Sequence, residues 1–276
     1  MGKRYLIAVD IEGIHGIVGE PYKTATDGFD YELALSNAAK EANTVAAALF
    51  DHGAESVVVW PNHGNPRNID YDALDPRMEV IRRNYDRLPG RFYFIGEGEK
   101  YDGIFLVGYH AREGTIGGVL AHTYDSKGIQ YYKLDGKEIG EVELDSYIAG
   151  SAHGVATLMV SSDEACCRQA RESLPGVKTV VTKYGHNRNS ADLLGTEEVL
   201  RALYDTTVEA ISSPAAPVPF TFPCVFEVRH TRMEDAERRL ALFRERGSDA
   251  EYAGDAHTVR VTFHSVEEVN LLLFTY

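Results

Sequence analysis

A chain of 276 residues, 44% of them apolar, can bury a full core as one large unit or as a large and a small one. Its formal net charge of -14, with 28 basic residues against 42 acidic ones, argues against a nucleic-acid partner, because neutralising phosphates takes a surplus of Lys and Arg. No run approaches the length of a membrane span, and the apolar stretch at 5–11 is too short for a signal core and leads straight into Asp10 and Glu12.

Short apolar runs rich in Val, Ile and aromatics alternate with segments of helical period, the pattern of a mostly parallel, doubly wound α/β sheet. The first strand is expected at 5–11. A long helix follows over 31–52, with Leu35, Ala38, Ala42, Val45 and Leu49 on one face and Gly53 as its stop. Further strands are expected at 56–60, 91–95, 104–108, 155–160 and 177–182, and helices at 163–174 and 196–212. Cys166 and Cys167 are adjacent in the first of these helices, where their side chains diverge, so no disulfide framework can be drawn and a reducing, cytoplasmic setting is expected. Residues 130–134, Asp135-Gly136 and 137–140 read as a hairpin that projects from the main sheet and carries Glu141 at its exit. The proline-rich stretch 212–223 has no helical period and marks a boundary between a large α/β domain, 1–211, and a small C-terminal α+β domain, 212–276. The small domain reads as strand 225–230, helix 234–245, strand 258–263 and helix 266–274.

In open α/β sheets the ligand site forms beyond the C-terminal ends of the strands, so residues that terminate apolar runs are the informative ones. Leu6-Ile7-Ala8-Val9 leads to Asp10 and Glu12, which would share a face through strand alternation. Val57-Val58-Val59-Trp60 leads to His63, and Ile104-Phe105-Leu106-Val107-Gly108 leads to His110. A single Asp or His after a strand is more often a cap or a loop hydrogen-bonder than a ligand. Three strand ends converging with Glu141 supply oxygen and nitrogen donors suited to two divalent ions, zinc, manganese or cobalt, with Asp10 able to bridge them.

In order and spacing, Val9-Asp10-Ile11-Glu12-Gly13-Ile14, Asn62-His63, Gly108-Tyr109-His110-Ala111-Arg112, Ala121-His122 and Gly140-Glu141 resemble the motifs of the zinc D-aminopeptidase family, peptidase family M55. The resemblance runs from the first strand to about residue 188, and more loosely through the C-terminal part. It implies a two-domain α/β hydrolase that removes N-terminal residues, D-amino acids among them, from short peptides. It also implies Asp10, Glu12, His63, His110 and Glu141 as the ligands of two zinc ions, His122 as the catalytic histidine, and a homo-oligomer of pentameric rings stacked into a decamer.

Two such ions would ionise a bridging water and polarise the scissile carbonyl, so no side-chain nucleophile is required. His122 would hydrogen-bond the oxyanion or pass a proton to the leaving amine. Arg112 and Arg188 are candidates to grip a substrate carboxylate with a planar fork, surface salt bridges being the alternative. His15, in a Gly-rich turn, reads as a solvent-facing loop histidine, with a pocket-lining role as the alternative. The other histidines, His52, His153, His186, His230, His257 and His264, show no convergent partners. The Gly13-x-x-Gly16-x-x-Gly19 spacing fails the dinucleotide pattern, and there is neither a Gly-x-Ser-x-Gly elbow nor a P-loop.

The chain departs from the family pattern at Trp60-Pro61-Asn62-His63, where the family commonly has Asn-Asp-Ser-His, so the orientation of His63 is expected to rely on Asn62. A Ser usual after the first motif is His15 here, and the interval from His110 to His122 is one residue longer than expected. Two other readings stay open: a dinuclear metal amidase acting on a non-peptide amide, and a non-catalytic metabolite-binding oligomer.

Overall fold

The computed structural model describes residues 2–19, 29–64, 68–81, 90–96 and 99–274. Strands β1 (Lys3–Val9), β2 (Ala54–Pro61), β3 (Glu79–Val80), β4 (Gly103–Val107), β7 (Thr157–Asp163), β8 (Lys178–Asn187) and β9 (Ser190–Leu193) form one sheet in the order β3-β2-β1-β4-β7-β8-β9. Neighbours are parallel except β8 and β9. Residues 5–9 of β1 are buried on both faces, and alternation sends Leu6 and Ala8 to one apolar layer and Tyr5, Ile7 and Val9 to the other.

Helices α1 (Phe29–Asp51) and α4 (Thr196–Ser212) cover the layer of Ile7 and Val9, while α2 (Glu141–His153) and α3 (Glu164–Ser173) cover that of Leu6 and Ala8. This is the expected doubly wound arrangement. The predicted stripe of α1, Leu35, Ala38, Ala42, Val45 and Leu49, is fully buried. Gly53, at φ +85°, takes the left-handed conformation that ends the helix and donates its N–H to the Phe50 carbonyl.

The Asp-Gly hairpin forms as β5 (Ile129–Leu134) and β6 (Lys137–Ile139), with Asp135 and Gly136 both at positive φ as a two-residue turn requires. It does not simply project. Together with β10 (Cys224–His230), β11 (Ala250–Tyr252) and β12 (Thr258–Phe263) it builds a second, antiparallel sheet in the order β11-β12-β10-β5-β6. Phe226 lies opposite Leu134 and Val228 opposite Tyr132, so strands from either side of the proline-rich segment share one ladder. Helices α5 (Met233–Glu245) and α6 (Val266–Leu273) accompany this sheet, and Phe243 and Val269 join its apolar layer.

One expected strand is absent. Residues 91–95 form turns, with Phe92 at φ 57°, a conformation no strand uses. Their aromatic content serves a cluster instead: Phe92 and Phe94 pack edge-on against Trp60 at 5.2 and 5.0 Å. The short strands β3, β9 and β11 were not expected, being too brief to carry a periodic signal.

The chain runs from β1 outward to β2 and β3 and then returns to β4 on the other side of β1. The reversal point therefore lies between β1 and β4, and it is at such a point, beyond the C-terminal strand ends, that open α/β sheets form their ligand crevice. The two loops leaving these strands are pressed together. Gly13 N–H donates to the Gly108 carbonyl at 2.8 Å, and a Cβ on Gly13 would lie 1.9 Å from the Tyr109 carbonyl oxygen. Gly13→Ala should accordingly lower unfolding stability by about 1–3 kcal/mol, the usual range for forcing a methyl into a filled space. Urea denaturation checks this, and an unchanged midpoint would show that the loops separate freely.

Candidate metal centre

Five of the six residues singled out from strand ends and motifs surround this crevice at full or near-full burial, and His63 is half-buried beside them. Asp10 follows β1 directly, His63 lies two residues after β2, His110 three after β4, and Glu141 is the first residue of α2. There the unpaired N–H groups of the first helical turn favour a carboxylate. Asp10 and Glu12 do not meet through strand alternation, because β1 ends at Val9; the turn that follows brings both to His63.

The Asp10 carboxylate faces two ways. Its Oδ1 lies 2.9 Å from His63 Nδ1 and its Oδ2 lies 3.5 Å from His110 Nε2. Around these two oxygens stand two groups of donors, each mutually within 4.8 Å: Asp10, Glu12 and His63, and His110, His122 and Glu141. Glu12 Oε2 is 3.3 Å from His63 Nδ1, His110 Nε2 is 3.1 Å from Glu141 Oε1, and His122 Nε2 is 3.8 Å from the same oxygen. The His110 and His122 rings stack at 3.9 Å and 13°.

Backbone partners aim the imidazoles. His110 Nδ1–H donates to the Ala111 carbonyl at 3.0 Å and His122 Nδ1–H to the Leu120 carbonyl at 2.9 Å, which leaves both Nε2 lone pairs facing the crevice. Buried polar atoms are nearly always hydrogen-bonded, yet Glu12 Oε2 and His110 Nε2 are buried and make no hydrogen bond. Unbonded lone pairs of oxygen and nitrogen, aimed at one space, are what a divalent cation of borderline hardness requires.

Charge is strongly coupled here. Burial, reinforced by the charge on Glu12, raises the Asp10 carboxyl to about 6 despite the opposing pull of His63. Burial also opposes ionisation of Glu12 and Glu141, but His63 holds the first well below the carboxylate range and His110 draws the second down to about 2. The same attractions overcome burial to raise His63 well above its usual value and His110 to about 10. His122 goes the other way: burial and the neighbouring His110 lower it.

Beneath the crevice lies an acid that the sequence reading missed. Asp145, fully buried and one helical turn after Glu141, accepts hydrogen bonds from Arg91 Nε at 2.8 Å and also from Arg91 Nη2. It further accepts from Tyr109 Oη at 2.8 Å, Tyr124 Oη at 2.9 Å and Asn62 Nδ2 at 3.5 Å. Tyr109 precedes His110, Asn62 precedes His63, and the Tyr124 N–H donates to Glu141 Oε1 at 2.7 Å. One carboxylate thus ties together the segments carrying His63, His110 and Glu141. The four-residue spacing from Glu141 was the available signal, since it puts both acids on one face of α2.

Other expectations need adjustment. Asn62 donates to Tyr109 Oη at 2.7 Å and not to His63, which is oriented by Asp10. His15 is not solvent-facing: it is buried, with Nε2 2.7 Å from the Leu194 carbonyl oxygen. The Arg112 guanidinium lies 3.5 Å from buried Glu143, and Arg188 donates to the Ala121 carbonyl beside His122.

Asp145→Ala would strand the buried Arg91 charge and also leave the phenols of Tyr109 and Tyr124 without their acceptor, and should cost about 3–5 kcal/mol, whereas adding Arg91→Met to it should recover the part due to the stranded charge. Thermal melts of the single and double variants test this. A double variant no more stable than the single one would rule out the uncompensated charge as the cause.

Comparison with known proteins places the whole chain in a family. The family model of the D-aminopeptidases, peptidase family M55, matches residues 4–273. The D-aminopeptidase of Bacillus subtilis (strain 168) is 28% identical over 218 residues, covering 79% of this chain and 77% of that protein. The structure of the zinc-dependent D-aminopeptidase DppA from Bacillus subtilis, described as a self-compartmentalizing protease, is similar with a TM-score of 0.84 at 25% identity, covering 96% of this chain and 93% of that one. This chain belongs to the D-aminopeptidase family of peptidases, M55.

Proposed function

We propose that this peptidase is a dinuclear zinc aminopeptidase that releases N-terminal residues, D-amino acids among them, from short peptides. The observation that carries the reading is the Asp10 carboxylate, whose two oxygens face His63 on one side and His110 on the other. In this reading Asp10 is shared, Glu12 and His63 complete one ion's protein ligands, and His110 and Glu141 complete the other's. The zinc dependence of the similar B. subtilis enzyme supports the choice of metal. When bound, a pair of divalent cations supplies Lewis acidity toward a peptide carbonyl and lowers the pKa of a water molecule.

The protein's own part is positioning and proton handling. His122 keeps its Nδ1–H on the Leu120 carbonyl, so its Nε2 is the atom free to take up a proton and deliver it to the leaving amine. Burial beside His110 favours the neutral ring, which has the lone pair this task needs. A second reading rests on the 3.8 Å from His122 Nε2 to Glu141 Oε1, which also suits His122 as a metal ligand. Arg112 and Arg188 remain our candidates to grip a substrate carboxylate, Arg188 standing on the Ala121 carbonyl beside His122.

We also infer a cytoplasmic enzyme, from its buried free thiols at Cys166, Cys167 and Cys224. Among the described residues no helix is long and apolar enough to cross a membrane. A decamer of two stacked pentameric rings fits the self-compartmentalizing character of the similar structure. We further propose a larger domain over 1–211 and a smaller one over 212–276, whose strand β10 pairs with β5 of the larger.

Asp10→Ala and His110→Ala should each lose bound zinc and all hydrolysis of D-Ala-D-Ala while far-UV circular dichroism stays native. Retained activity in either variant rejects the assignment, and hydrolysis of simple amides in place of dipeptides by the unmodified enzyme redirects it to an amidase. For His122→Ala, zinc retained with turnover reduced by a factor on the order of a hundred supports proton transfer. Loss of zinc makes His122 a ligand.

A further inference from the structure

Lys183 is a charged residue at 0% exposure whose surroundings explain its burial. Its Nζ donates to the carbonyl oxygens of Glu12 at 2.6 Å, Ile14 at 2.8 Å and Ile17 at 2.6 Å. An ammonium has three hydrogens, and all three are used on one loop. The adjacent Thr182 Oγ1 donates to the Gly13 carbonyl at 2.7 Å. Consecutive strand residues ordinarily point to opposite faces. Here the ladder between β7 and β8 slips, with Ser162 opposite Val181 but Asp163 opposite Lys183, and this bulge lets Thr182 and Lys183 both reach the same loop.

The loop they hold follows Asp10 and contains Glu12. Two further backbone groups of the loop are held from outside as well: the His15 N–H by Glu41 Oε1 at 2.7 Å and the His15 carbonyl by Asn37 Nδ2 at 3.0 Å. No other side chain could satisfy three converging carbonyls in a dry space with one atom. Glu12 Oε2 is buried, with His63 Nδ1 3.3 Å away as its polar neighbour, so where the carboxylate stands relative to His63 depends on the path of the backbone that carries it.

We propose that Lys183, assisted by Thr182, is a positioning residue for metal binding: the pair holds the 12–17 loop in its ligating path, so the ordering of Glu12 is complete before an ion arrives. The inference rests on the dinuclear reading above. A buried lysine with a purely structural role would affect melting temperature alone, whereas a positioning role also moves metal affinity.

The test is zinc affinity of the metal-stripped full-length protein, measured by competition with a chromophoric chelator, with circular dichroism and thermal melts in parallel. Lys183→Met should weaken zinc binding about 10- to 100-fold, the usual effect of removing a group that orients a ligand, and Thr182→Val should weaken it by a smaller factor. If Lys183→Met does not fold, Thr182→Val decides. Variants that bind zinc as tightly as the unmodified protein, whatever their melting temperature, overturn the positioning role alone. Failure of the unmodified protein to bind zinc overturns the metal reading and the inference with it.

Discussion

Three carboxylates and three imidazoles crowd into one space from which water is almost excluded, and this crowding is the constraint on which the rest of the architecture depends. Like charges at such separations repel strongly when screening is weak. Asp10, Glu12 and Glu141 can stand together only because positively charged partners are interleaved with them, and because surrounding structure prevents them from moving apart. The surrounding carboxylates push His63 and His110 upward, the direction in which such a concentration of negative charge acts.

Two braces resist the repulsion, and they act on different segments. Asp145 gathers the phenols of Tyr109 and Tyr124 and the amide of Asn62, neutralised by Arg91, and thereby joins the residues flanking His63, His110 and Glu141. Lys183 and Thr182 act on the loop that carries Glu12. Asp145 also accepts from Asn62, at 3.5 Å, which is the residue beside His63.

The second sheet contributes to the centre through connectivity. The β5–β6 hairpin is inserted between β4 and α2, so Glu141 follows β6 after the single residue Gly140. Pairing of β5 with β10 anchors that hairpin, and Gly140 N–H is held by Glu143 Oε2 at 2.9 Å. The C-terminal part of the chain therefore helps to fix where α2 begins, and with it the direction of a carboxylate in the crevice.

Local patterns carried much of this into the sequence. The apolar runs ending at Asp10, His63 and His110, the periodic face and glycine stop of α1, and the Asp135-Gly136 turn all depend on residues within a few positions of one another, so they could be read directly. Glu141 was read from its place at the exit of that hairpin, and motif resemblance added His122. Only the tertiary structure decided the partner of the β5–β6 hairpin, the turn at 91–95 and the inward path of His15, because each depends on packing between distant segments. Arg91 and Lys183 were invisible for the same reason, and Asp145 left only its spacing from Glu141 as a trace: in sequence a charged residue looks like surface, and whether it is buried depends on which remote donors and acceptors the fold brings to meet it.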